Sequence, residues 1–275
     1  MLAIPDTLQA QAQAAATKVA LLRTPGRFLV SGMLAGAYIG VGIVLMVCTA
    51  GPLIEAGDGF AKLVAGVVFG VALTIVVFAG GELVTSTVMI ATQGVLMRSI
   101  PGLRALGGML ATFAANLLGA LAFSALVVAS GVLRANAAGG SMLADLLAAK
   151  ASEGPLELFT RGILCNLLVC LAIWMSARVE NEVAKILLIF AAITAFISSG
   201  FEHVVANMTT YGIGLLLGDP NASLALFGGN LLWVGLGNLV GGGLVVGAGY
   251  WLVGGQPRVE TKADARLESR EAQSD

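Results

Sequence analysis

The 275-residue sequence is short of charge, of histidine and of cysteine, and each shortage excludes something. Only 11% of the residues are Asp, Glu, Lys or Arg, less than half the ~25% typical of soluble domains. A chain this poor in charge is not clothed for water. Fifteen Lys and Arg stand against 16 Asp and Glu, for a net charge of −1. There is no basic stripe, zinc spacing or aromatic–basic motif, so no nucleic-acid partner is expected. Cys48, Cys165 and Cys170 form no Cys-x-x-Cys pair and all fall in apolar runs, where they read as small buried hydrophobes. One histidine, His203, is too few for a zinc site, and no metal or other cofactor is implied.

What is abundant is apolar. Hydrophobic residues make up 57% of the chain, 37 residues are glycine, and the mean hydropathy is +0.92. These values specify an all-α, multi-pass membrane protein. Apolar segments run over 28–50, 63–97, 105–133, 156–177, 186–218 and 224–253, so the chain is expected to cross the bilayer six times. An even count puts both termini on one side. If that side is cytoplasmic, it holds 11 of the Lys and Arg residues, and the other holds the remaining 4, Lys62, Arg134, Lys150 and Arg161. The positive-inside rule therefore makes both termini cytoplasmic.

Three regions follow. Residues 1–27 lack the basic start and apolar run of a signal peptide. Ile4, Leu8, Ala12, Ala15, Val19 and Leu22 recur at helical spacing, which predicts an amphipathic cytoplasmic helix lying on the membrane surface or on a neighbouring subunit. Thr24-Pro25-Gly26 ends it. Residues 28–253 form the membrane domain, and 254–275 read as a charged, disordered cytoplasmic tail.

Two apolar segments have an awkward length. Residues 63–97 and 186–218 are 35 and 33 residues without Lys or Arg. One helix of that length would span about 50 Å, against a ~30 Å hydrocarbon core, and two full crossings do not fit. Each is interrupted near its middle, by "GGELVTSTVM" (80–89) and by "SSGFEHVVANM" (198–208). Two broken helices are the economical reading, and irregular backbone at membrane depth belongs beside a cavity or inside protein. The halves also correspond. "ANLLGALAF" (115–123) parallels "GNLVGGGLV" (237–245); Asn116 follows Glu82 by 34 residues, and Asn238 follows Glu202 by 36. Two halves of three crossings each must be inverted in the membrane, and paired broken helices then point to a central pathway. The glycines of "GAYIGVG" (36–42), "GGML" (107–110) and "GGGLVVGAG" (241–249) are expected to let helices pack closely.

Few polar groups lie at membrane depth. Glu82, Thr85, Ser86 and Thr87 sit in the first break, Asn166 in the fourth crossing, and Glu202, His203 and Asn207 in the second break. Ionisable groups there default to function. The structural alternatives are a satisfied histidine for His203, a carboxylate bonding backbone N–H groups for Glu202, and helix capping by Thr85, Ser86 or Thr87. Histidine changes charge nearest neutral pH. An anion entering a dry pore loses its hydration, which is costly. A weak-acid anion escapes that cost if a histidine protonates it or gives it a charge-assisted hydrogen bond. Thr85 would hold the imidazole, and Lys150, just before the fourth crossing, would attract the anion. The scheme suits nitrite, formate, hydrosulfide or acetate, and suits chloride or nitrate poorly.

Two other classes compete. A water or glycerol pore would share the architecture, but the chain has no Asn-Pro-Ala motif. A membrane enzyme would need a nucleophile or metal spacing near His203, and "SGFEH" offers neither; no enzyme is expected.

The motifs "GAYIGVGI", "GELVTSTVM", "GILCNLLVCLAIWMSAR", "SGFEHVVANM" and "NLLWVGLGNLVGGG" resemble the formate/nitrite transporter family over roughly residues 15–253. The resemblance implies an aquaporin-like protomer of six crossings, a homopentamer with one pore per subunit, and a bacterial-type inner membrane. It implies that His203 is the central pore histidine, with Thr85 as its partner, and that Glu202, Lys150 and Asn166 tune the site. It implies an outer constriction of Phe69, Leu73 and Phe196 and an inner one of Leu83, Val84 and Val169. Many members carry Phe where this chain has Val84, so a wider inner constriction is expected. The stretches "LCNLLVCLAIWMSAR" and "NLLWVGLGN" are more similar to the nitrite branch than to the formate branch. The expected partners are nitrite or a similar anion, protons, and membrane lipid.

Overall fold

The protein is described by a computed structural model covering residues 1–254. Of the expected tail, Gly254 closes the last helix, and 255–275 lie outside the described residues.

Every regular element among the described residues is helical. Helix α1 (Ile4–Leu21) is followed by α2 (Pro25–Glu55), α3 (Ala61–Ala79), α4 (Val84–Leu96) and α5 (Gly102–Ser130). A short α6 (Val132–Ala135) leads to α7 (Ala137–Ser152). Then come α8 (Pro155–Arg178), α9 (Glu182–Ser198), α10 (Val204–Leu217) and α11 (Leu224–Leu239). The chain ends in a π-helical stretch (Val240–Ala248) running into α12 (Gly249–Gly254). Proline at the first helical residue of α2 and α8 supplies a fixed φ where no backbone donor is needed.

Five helical stretches are long and apolar enough to cross a membrane: α2, α3, α5, α8 and Leu224–Gly254. The count is five because the fifth apolar segment of the sequence divides into α9, of 17 residues, and α10, of 14. The second segment divides likewise into α3 and α4. Both divisions occur at glycine. Gly80 ends α3 with φ 80°, and Gly200, just past α9, has φ 73°. A side chain there would clash with its own carbonyl, so glycine is the residue that lets a helix stop in the left-handed conformation.

Equivalent helices pack in equivalent ways. Helix α2 lies on α3 and α5, α8 lies on α9 and α11, and α3 lies on α9. The crossings are tight enough that a Cβ on Gly119 would come within 1.9 Å of the Met33 carbonyl oxygen, and one on Gly237 within 2.1 Å of that of Phe159. Backbone contact of this kind replaces the hydrophobic drive that lipid removes. The expectation fails at Gly107, where a Cβ would meet nothing within 4 Å, because that turn of α5 faces outward.

Two placements go beyond the sequence reading. Helix α1 packs on α4 and α12 of its own chain. Its alanine face permits this, since Ala15 seats against Gly94 and the Ser99 hydroxyl donates to the Ala12 carbonyl at 2.9 Å. The connection after α5 contains the 16-residue helix α7, which packs on α2 and α10. Its apolar residues Met142, Leu143 and Leu147 are buried, but the run is too short and too alanine-rich to stand out by hydropathy.

Candidate functional site: two helix breaks and a histidine

Each break is held by one asparagine. At the first, Asn116 of α5 accepts a hydrogen bond from the Val84 N–H at 2.9 Å and donates to the Gly32 and Glu82 carbonyls at 2.8 and 2.7 Å. At the second, Asn238 of α11 accepts from the Val204 N–H at 2.9 Å and donates to the Gly162 and Glu202 carbonyls at 2.8 and 3.0 Å. Buried backbone groups freed by a break must find such partners. A carboxamide supplies both donor and acceptor at once. The glutamate backbones are tied too: the Glu82 N–H donates to the Ser31 carbonyl at 3.2 Å, and the Glu202 N–H to that of Arg161 at 3.3 Å.

Each glutamate side chain meets a lysine. The Lys150 ammonium of α7 contacts both Glu202 oxygens at 2.5 and 2.6 Å, and Asn207 donates to the same carboxylate at 2.6 Å. Lys18 of α1 meets Glu82 at 2.5 Å. Lys150 is therefore not a free surface cation; its side chain is 11% exposed and its charge is paired. Asn207 also donates to Asn230 of α11 at 2.7 Å, which ties the second break to α11.

His203 occupies the N-cap of α10. Its Nδ1 accepts the Ala206 N–H at 3.2 Å, and its Nε2 lies 3.1 Å from Thr85 Oγ1. A neutral imidazole has one acceptor and one donor nitrogen. With Nδ1 accepting, the proton sits on Nε2, which donates to Thr85. The ring and the hydroxyl are buried, and each comes from a different break. Thr85 is fixed in turn, because its carbonyl accepts from Asn166 Nδ2 at 3.1 Å and from Cys170 at 3.3 Å. Asn166 also donates to the Asn238 carbonyl at 2.7 Å, at the start of the π-helical stretch. Gly242 makes room there; a Cβ on it would lie 2.4 Å from Asn166 Nδ2. Thr85, Ser86 and Thr87 do not cap α4. Its N-cap, Leu83, has no side-chain bond, and Ser86 donates backward to the Leu83 carbonyl at 3.0 Å, because Asn116 has taken the Val84 N–H.

Apolar side chains are buried around the pair. Phe69 and Phe196 meet edge to face with centroids 5.9 Å apart, and the Phe196 ring lies 6.1 Å from the imidazole. Leu73 shares their buried cluster, as do Leu83, Val84 and Val169. Leu83 and Val169 are fully enclosed. Val84 also faces a groove between α5 and α11, about 350 Å³ in volume, with Val88, Phe113 and Leu236.

Sequence reasoning missed Lys18, and it used Asn116 and Asn238 only as repeat markers. Their near-equal distance from the two glutamates was the available signal for the asparagines. Nothing in the sequence pairs Lys18 with Glu82, 64 residues away.

The formate/nitrite transporter family model matches residues 5–252. The nitrite transporter NirC of Salmonella typhimurium is 39% identical over 277 residues, covering 97% of each chain. A solved FNT family ion channel shares 38% identity with a TM-score of 0.83, over 90% of this chain and 98% of that one. A solved pentameric formate channel with formate bound shares 26% identity with a TM-score of 0.73, over 84% and 98%. Long apolar helices broken at two asparagine-held glycine turns, with a buried histidine between them, are thus carried on a family match spanning nearly the whole chain: this multi-pass, all-α membrane protein belongs to the formate/nitrite transporter family.

Proposed function

We propose that the chain is a channel for a small monovalent weak-acid anion, nitrite before formate or hydrosulfide. The observation that carries the reading is the buried Thr85–His203 contact of 3.1 Å. An anion stripped of water needs a donor where it is driest. The Nε2–H of His203 is that donor, and Thr85 is displaced or shared when the anion arrives. The Nδ1 lone pair is already used by Ala206. To protonate the anion outright, the ring would first become imidazolium and give up that cap. The hydrogen-bonding role is therefore preferred, with protons travelling on the anion as its neutral acid.

The preference for nitrite rests on the 39% identity to a nitrite transporter over nearly the whole of both chains. The remaining features belong to the same proposal. The two broken segments each count as one crossing, giving six in two inverted halves. Phe69, Leu73 and Phe196 form the outer constriction, and Leu83, Val84 and Val169 the inner one. Lys150, Glu202, Asn166 and Asn207 fix the site's charge and shape. The assembly is a homopentamer in a bacterial inner membrane, with lipid around it and both termini cytoplasmic. The terminal helix 1–27 sits on the cytoplasmic side.

The test is uptake into liposomes bearing the purified protein, with nitrite, formate, hydrosulfide and chloride supplied separately. Nitrite flux above formate flux, little chloride flux, and loss of flux in His203→Ala are expected. Chloride flux equal to nitrite flux would overturn the weak-acid reading.

A further inference from the structure

Five charged side chains gather where α7, α8 and the second break meet: Lys150, Glu153, Glu157, Arg161 and Glu202. Lys150 and Glu202 neutralise each other in near-complete burial, at 11% and 6% side-chain exposure. Glu153 caps the end of α7 and is ion-paired through Oε1 to the guanidinium of Arg161. Its side chain is 10% exposed, and its other oxygen, Oε2, is buried with no hydrogen-bond partner. Arg161 is the one cation of the group that reaches water, at 39% exposure. Glu157 is exposed and accepts the Gly154 N–H at 2.9 Å. Two cations and three carboxylates give this cluster one net negative charge, an arrangement that repels anions.

We propose that this cluster lies at a mouth of the pore and that Glu153 is a positioning residue for anion capture there: by holding or releasing Arg161, it sets the charge that the mouth presents to an arriving anion. The inference rests on the anion-channel reading above. Arg161 is placed for the part, since its backbone carbonyl already accepts the Glu202 N–H at 3.3 Å, beside His203. While Glu153 is ionised, its carboxylate occupies the guanidinium. When Glu153 takes up a proton, the ion pair is lost, the mouth becomes neutral, and Arg161 is free to meet the anion.

The neighbours of Glu153 bias that proton. Burial, first, and the charge of Glu202, second, push its carboxyl up from the ordinary carboxylate value, as does Glu157; Arg161 and Lys150 pull it down. Tyr211 of α10 lies within electrostatic range of Glu153 and Glu202. The sign follows. A raised carboxyl is protonated sooner as the outside acidifies, so capture strengthens with acid and weakens toward neutral pH.

The experiment reads the half-saturating concentration of external nitrite, or of formate if the wild type prefers it, in liposomes at neutral pH and low salt. One unit of charge at about 5 Å in water is worth roughly a fourfold change. Glu153→Gln is expected to lower the half-saturating concentration about fourfold, and about 1 M salt is expected to erase the difference. The double variant Glu153→Gln/Arg161→Gln restores one net negative charge and is expected to return to the wild-type value. Glu153→Asp is expected to keep the wild-type pH profile. A second reading needs no variant: added salt should lower the wild-type value at neutral pH. An unchanged Glu153→Gln value, a double variant as low as the single, or a wild type indifferent to salt at neutral pH would overturn the proposal. A wild type that carries none of the anions would instead refute the channel reading.

Discussion

The break around Glu82 and the break around Glu202 are built from the same parts, yet they hold different residues at the centre. Both have a left-handed glycine, a glutamate two residues on, a lysine from a preceding helix, and an asparagine that ties three backbone groups. The residue after the glutamate is Leu83 in one and His203 in the other. Three residues after the glutamate, the first break has Thr85 and the second Val205. Each half thus contributes one polar group, at non-equivalent places, and the two meet at 3.1 Å. Perfect symmetry would have produced two histidines facing each other or none. The repeat supplies rigidity, and departures from the repeat supply the chemistry.

The breaks also differ in how firmly their charges are held. Glu202 is bound by Lys150 through both oxygens and by Asn207. Glu82 meets Lys18 through one oxygen, and Thr87, which occupies the place equivalent to Asn207, has a buried hydroxyl with no partner. A cavity of about 20 Å³ lies there, lined by Lys18, Glu82 and Thr87, which is room for one water.

Four tests bear on this comparison. The largest expected effect is on the shared frame. Asn116→Leu and Asn238→Leu each orphan buried backbone groups, at about 3–5 kcal/mol of stability apiece. Thermal unfolding in detergent should show similar losses; a loss confined to one variant would mean that the frames are not equivalent.

Next comes the pairing. Glu202→Gln strands Lys150 in near-complete burial, at a cost of about 3–5 kcal/mol, whereas Glu82→Gln leaves Lys18, 21% exposed, able to reach water and costs about 1 kcal/mol. Equal melting shifts in the two variants would erase the contrast in firmness.

His203→Leu makes the second break resemble the first. Losing a donor to a desolvated anion is worth about 1.5–3 kcal/mol, so nitrite flux should fall roughly 10- to 100-fold. Unchanged flux would return His203 to a capping role. The smallest effect is expected from Thr85→Val, which removes one neutral hydrogen bond of about 1 kcal/mol, or roughly fivefold in flux. Thr85→Ser should keep wild-type flux, and a serine variant as poor as valine would show that the methyl group, not the hydroxyl, matters.

Much of this was legible in the residues. Hydropathy and charge scarcity dictate membrane helices because lipid tolerates little else. The overlong apolar segments and their glycines marked both breaks, because a straight helix of that length does not fit a bilayer. The lone histidine beside Glu202 and the threonine beside Glu82 were visible as polar groups in an expensive place. Their contact was not: 118 residues separate them, and only the packing of α4 against α8 and α10 brings them together.

The sequence by itself determined where helices must stop and which few polar groups lie at depth, because those follow from local conformation and the cost of burial. The tertiary structure alone decided which partners those groups take. It seated α1 beneath α4 so that Lys18 meets Glu82, folded α7 over the second break so that Lys150 is paired rather than free, and used the Ala206 N–H to fix the imidazole proton on Nε2. Partners of that kind are set by helix crossings through space, and no spacing along the chain encodes a distance across it.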